Sequence, residues 1–140
     1  MRLSLPKKLN DGARQMFEFL RDSKGFNITQ SIVEENVFGN IQVIASCSEF
    51  AIDYRLDRGD ESVFVVVEGN EYLIEDAARS IDGSRFVTHS IRDEESWVMS
   101  HVDALKESLH GDRLKPSKQL LEQSRIERLR RMFPGAVLES

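Results

Sequence analysis

The 140-residue chain holds one cysteine, one tryptophan, three prolines and three histidines. A single Cys47 excludes an intramolecular disulfide and a thiolate metal cluster, and it reads as a small buried hydrophobe in a strand. No window approaches the roughly 18 uninterrupted apolar residues that a membrane helix requires. Met1 to Lys8 lack the apolar run of a secretory signal, so a cytoplasmic location is expected and the sequon Asn27-Ile28-Thr29 has no consequence. The eight glycines are scattered and none precedes a Lys-Ser or Lys-Thr pair, which removes the usual phosphate cradle. Internal repeats and low-complexity tracts are also missing.

What is present is the composition of an ordinary globular chain, 40% apolar and 31% charged. The length fits one domain spanning residues 1–140, with flexible ends expected at 1–8 and 135–140. The net charge of −5 conceals an asymmetry. Residues 1–112 hold 12 Lys/Arg against 21 Asp/Glu, whereas 113–131 hold seven against two. An acidic body and a basic tail allow a cationic partner, an anionic partner, or docking of the tail on its own body.

Asn10 or Asp11 can cap a helix whose apolar residues Ala13, Met16, Phe17 and Leu20 recur at helical spacing, and Gly25 supplies a left-handed stop. Strands are predicted over Ile28 to Val33 and Ile41 to Ala45. Phe50, Ile52, Tyr54 and Leu56 then alternate with Ala51, Asp53, Arg55 and Asp57, giving one buried and one wetter face. After a polar hairpin loop at Asp57 to Glu61, Ser62 to Val67 is apolar on both sides and predicts cover by helices on both faces of the sheet. Leu73, Ile74, Ala77, Ala78 and Ile81 share a helical face after a cap at Asn70, and Asp82-Gly83 ends that segment. A further helix carries Asp93, Glu94 and Glu95 at its positive end and Trp97, Val98, His101, Val102, Leu105 and Leu109 along one stripe. The last begins near Pro116-Ser117, presents Leu120, Leu121, Leu129 and Met132, and stops before Pro134-Gly135. The predicted fold class is α+β: an N-terminal helix, a four-stranded antiparallel meander, then about three helices packing on the sheet.

Catalytic chemistry needs converging groups, and each candidate lacks a required member. His101 reads as a partly buried stripe residue, His110 as a cation at a helix end, and His89 lies in a stretch without clear pattern. Glu107 and His110 have di-iron spacing without the second copy such a site needs. Ser4 and Lys7 have Ser-x-x-Lys spacing, but Pro6 breaks the helix that would align them. Arg58-Gly59-Asp60 spells an adhesion tripeptide and equally suits a hairpin turn. No enzyme activity, metal or cofactor is therefore expected.

Two charged surfaces remain. Asp57, Asp60 and Glu61 in one loop and Glu68, Glu71, Glu75 and Asp76 after the next strand are read as one negative surface able to hold a basic protein partner. The basic segment, with Arg125, Arg128 and Arg131, offers an alternative nucleic-acid interface, although Glu122 and Glu127 interrupt it and no aromatic residue is interleaved.

The run Met16-Phe17-Glu18-Phe19-Leu20 closing on Lys24-Gly25-Phe26, with the strands Phe50 to Tyr54 and Val63 to Val67 around Asp57-Arg58, resembles the small immunity proteins of bacterial polymorphic and contact-dependent toxin systems. The likeness covers about residues 13–81. It implies a cytosolic, non-enzymatic inhibitor that binds one cognate toxin domain, in many cases a nuclease with a basic groove. The basic C-terminal helix departs from that picture, and no contact residue of the family maps onto a position of this chain.

Overall fold

A computed structural model describes residues 3–35, 39–83 and 90–135. Helix α1 (Asp11–Lys24) starts where the Asn10 side chain accepts a hydrogen bond from the Ala13 amide at 2.7 Å, and stops at Gly25 in the left-handed conformation (φ 76°). Five strands follow: β1 (Asn27–Glu34), β2 (Asn40–Ser46), β3 (Ala51–Asp57), β4 (Asp60–Val67) and β5 (Asn70–Leu73). They form one antiparallel meander in sequence order. Helices α2 (Ile74–Asp82), α3 (Ile91–Ser108) and α4 (Leu114–Met132) follow among the described residues, with a 3-10 turn at Gly111–Arg113 before the last.

The α+β class and the order of helix, meander and helices agree with the sequence expectation, but the sheet has five strands rather than four. The extra strand arises from a two-residue turn, Glu68 (φ 51°) and Gly69 (φ 82°), which returns the chain along β4 so that Val67 faces Asn70 and Val65 faces Tyr72. Asn70 is thus a strand residue, not a helix cap; Leu73 ends the strand, and α2 begins at Ile74 without a side-chain cap. Arg58 (φ 53°) and Gly59 (φ 86°) make the equivalent turn between β3 and β4, which is the structural role of the Arg58-Gly59-Asp60 tripeptide.

One hydrophobic cluster joins all four helices to the sheet. Ile41, Val43 and Ala45 of β2, Ile52 and Tyr54 of β3, Val63, Val65 and Val67 of β4 and Tyr72 of β5 point into it. They meet Ala13, Met16, Phe17 and Leu20 of α1, Ala77 and Ala78 of α2, and Trp97, Val98, Val102 and Leu105 of α3. Burial of each large side chain contributes on the order of 2 kcal/mol. Residues 3–8 are tied in as well: Leu5 packs on the core, and the Pro6 carbonyl accepts from the Leu9 amide and the Arg14 guanidinium.

The expected cover on both faces is not found. Inward and outward residues of β2 alternate strictly between buried and half-buried, and in β4 Phe64 and Val66 remain half-buried while their neighbours are sealed. No described helix covers the outward face. Instead α4 lies against α2, through Arg128 to Asp76 and Arg79 to Glu127, so the fourth helix forms an outer layer on the covered side. Leu121 and Ser124 are buried there, while Leu120 and Met132 are exposed, contrary to the stripe predicted for them.

Candidate functional site

Register places Gln42 beside Arg55, Ile44 beside Asp53, Asp53 beside Phe64, Arg55 beside Ser62, and Phe64 beside Leu73. Side chains alternate across a strand, so these residues share the outward face with Ile32 and Val66. At its centre Asp53 is only 2% exposed. Its two oxygens accept from Gln42 Nε2, both at 3.2 Å, and from Arg55 Nη2 at 2.8 Å. Arg55 also donates to Glu71 and lies with its guanidinium carbon 4.7 Å from the Phe64 ring centroid. Glu71, and next Asp53, hold the guanidinium more firmly protonated than usual against the opposing effect of burial. The Arg55 Nε is buried without a partner among the described residues.

Parity carries Glu34, Asp57, Asp60 and Glu71 to the same face. The strand residues of this face thus hold five carboxylates, counting Asp53, against one arginine. Half-buried Ile44, Phe64, Val66 and Leu73 lie between them. Toward the hairpin end, Ile32, Glu34, Asn40, Gln42, Arg55 and Asp57 border a shallow depression of about 270 Å³.

The seven acidic residues singled out in the sequence do not form one surface. Asp57, Asp60 and Glu71 belong to the outward face. Glu61 turns to the helix side, where it accepts from Tyr54 Oη at 2.6 Å and from Asn10 Nδ2. Glu68 sits in the turn at the opposite end of β4 from Asp60 and faces Lys118 at 3.5 Å. Asp76, 1% exposed, accepts from Arg128 at 2.9 and 3.2 Å, and Glu75 lies 3.9 Å from both Arg128 and Arg131. The length of β4 separates Asp60 from Glu68, and within the second cluster the basic tail pairs with Glu68, Glu75 and Asp76 whereas Glu71 pairs with Arg55.

The same contacts occupy the residues of the alternative interface. Arg128 pairs with Asp76, Arg125 with Glu122 at 3.1 Å, and Arg131 approaches Glu75. Glu122 also accepts from the Tyr72 hydroxyl, which, followed by Arg125, holds its carboxyl below the usual range.

A second carboxyl cluster lies inside, where the start of α1 meets β3, β4 and α3. Glu95, expected as a carboxylate complementing the positive end of α3, is 2% exposed, and its Oε2 has no partner among the described residues. Burial, and then the charge of Glu61, pushes its carboxyl up to about 7; Arg92 opposes the shift weakly. Burial likewise raises Glu94 to about 7, against a hydrogen bond from the Val63 backbone. Gly12 makes room: a Cβ there would stand 2.3 Å from Glu95 Oε1.

Cys47 follows β2 in a turn and is half-buried, rather than buried in a strand; its thiol donates to the Phe50 carbonyl at 3.5 Å. It shares a depression of about 230 Å³ with Glu49, Lys106 and His110. His110 Nδ1 bonds Glu49 at 2.6 Å rather than the thiol, so the three groups form no relay. His101 stacks on Trp97 at 4.5 Å and bonds its carbonyl. His89 lies outside the described residues. Glu107 pairs with Arg113, away from the partner of His110, and no group of three potential metal ligands occurs among the described residues. No described helix is long and apolar enough to cross a membrane.

Compared with family models, curated proteins and solved structures, the chain matches none.

Proposed function

We propose that this chain is a non-enzymatic protein-binding module that neutralises a bacterial toxin domain in the cytoplasm by covering a basic surface of it. The supporting observation is the outward sheet face, where five carboxylates stand against one arginine around half-buried Ile44, Phe64, Val66 and Leu73. Such a face combines the elements of a protein interface: an apolar and aromatic centre, a half-buried arginine held by Asp53 and Glu71, and a charged rim that steers an oppositely charged partner. Asp57, Asp60 and Glu71 are the members of the predicted acidic set that serve it, and Glu34, Asp53, Arg55 and Phe64 join them.

The nucleic-acid alternative is weaker because Arg125, Arg128 and Arg131 face acidic side chains of their own chain. The test is co-expression with a toxin domain encoded by a neighbouring reading frame. Wild-type chain is expected to restore growth, and the double variant Asp57→Lys with Asp60→Lys to lose that protection while still folding. Failure of the wild type to protect, or full protection by the variant, would sink the proposal.

A further inference from the structure

We propose that β1 pairs with β1 of a second copy of this chain, antiparallel about a two-fold axis at Ile32, joining two sheets into one. The two edges of the sheet differ in protection. Strand β5 is four residues long and has α4 beside it, with Tyr72 bonded to Glu122. Strand β1 is eight residues long, and the preceding segment touches it through one side-chain hydrogen bond, Ser31 Oγ to the Ser4 carbonyl at 2.8 Å. No backbone hydrogen bond is made to its outer side among the described residues. Sheet edges are normally guarded by lysine, proline, shortness or bulges, because an unpaired row of amides and carbonyls recruits another strand. Here neither lysine nor proline is present, the one irregularity lies toward the start of the strand between Ile28 and Gln30, and Ile32 (38%) and Val33 (36%) are exposed on its two faces.

The irregularity between Ile28 and Gln30 leaves Gln30 to Glu34 as the regular stretch. Its centre is Ile32. Antiparallel pairing about that residue sets Ile32 against its own copy, Ser31 against Val33, and Gln30 against Glu34. The one charge of the strand then meets an amide donor, twice by symmetry, and no like charges oppose. Pairing centred on Glu34 would oppose two carboxylates, and pairing centred on Ser31 or Val33 would set Glu34 against an isoleucine, so the register about Ile32 is the one that gives the carboxylate an amide partner. A five-residue ladder is a small interface, and association in the micromolar range or weaker is expected.

Sedimentation velocity on the full chain, from low micromolar to near-millimolar protein, tests this directly. Wild type is expected to move from monomer to dimer, with hydrogen-exchange protection of β1 amides rising in step. Ile32→Lys and Gln30→Glu should each raise the dimer Kd at least about tenfold, while Gln119→Lys on α4 leaves it unchanged. Adding Glu34→Gln to Gln30→Glu restores the complementary pair and should recover dimerisation. A wild type that stays monomeric throughout overturns the proposal, as does a dimer indifferent to Ile32→Lys, or one for which the double exchange gives no recovery although circular dichroism shows the variants folded.

Discussion

Replacing Glu95 by glutamine removes a titratable group from the junction of α1, β4 and α3 while keeping its shape. The folded chain favours the neutral carboxyl, because the group is 2% exposed, leaves one oxygen unpartnered and stands near Glu61. Its folded pKa of about 7 lies above the ordinary 4.5, so the folded state binds the extra proton between those values. The stabilising contribution is complete below about pH 4.5 and is lost as pH rises through 7. At about 1.4 kcal/mol per unit, the loss approaches about 3 kcal/mol on the alkaline side. Glu94 adds in the same direction, whereas Glu122, held low, loses its contribution only as pH falls through the carboxylate range. Urea or thermal unfolding at pH 5, 7 and 9 would show wild-type stability declining with pH. Glu95→Gln should flatten much of that decline and raise Tm at pH 9 by roughly 10 °C. Parallel pH profiles for the two proteins, or wild-type stability that rises from pH 5 to 9, would refute the assignment.

Arg128→Ala should cost about 3–5 kcal/mol, since it strands Asp76, 1% exposed, without its partner; chemical denaturation measures it, and Arg128→Ala with Asp76→Asn should recover part of the loss. Gly12→Ala should destabilise by about 1–3 kcal/mol through collision with Glu95. Its cost should shrink when Glu95 is shortened to alanine, which a double-mutant cycle in thermal unfolding would detect.

Local chemistry was readable where one residue decides the backbone: Asn10 and Gly25 at the ends of α1, Gly83 after α2, and Gly59 in the β3–β4 turn. The second turn was harder because Glu68 takes the left-handed conformation without being glycine, and Asn70 offered a competing reading as a helix cap. Alternation in β3 had already placed Asp53, Arg55 and Asp57 on the wetter face. What periodicity does not carry is register: the meeting of Gln42, Asp53, Arg55, Phe64 and Glu71 depends on which residues of four strands lie side by side. Phe64 and Val66 likewise read as buried because apolar character alone does not distinguish helical cover from a face left bare. The separation of the acidic clusters by β4, and the docking of the basic tail on Asp76, are consequences of tertiary placement.

The most direct measurement is the affinity of a purified candidate toxin domain, of the class proposed above, for wild type and for Asp57→Lys with Asp60→Lys, by titration calorimetry at two salt concentrations. The outward acidic face predicts a Kd at least about tenfold weaker for the charge reversal and a wild-type affinity that falls with salt. An unchanged Kd for that variant, with binding lost instead on neutralising Arg125 and Arg131, would contradict it.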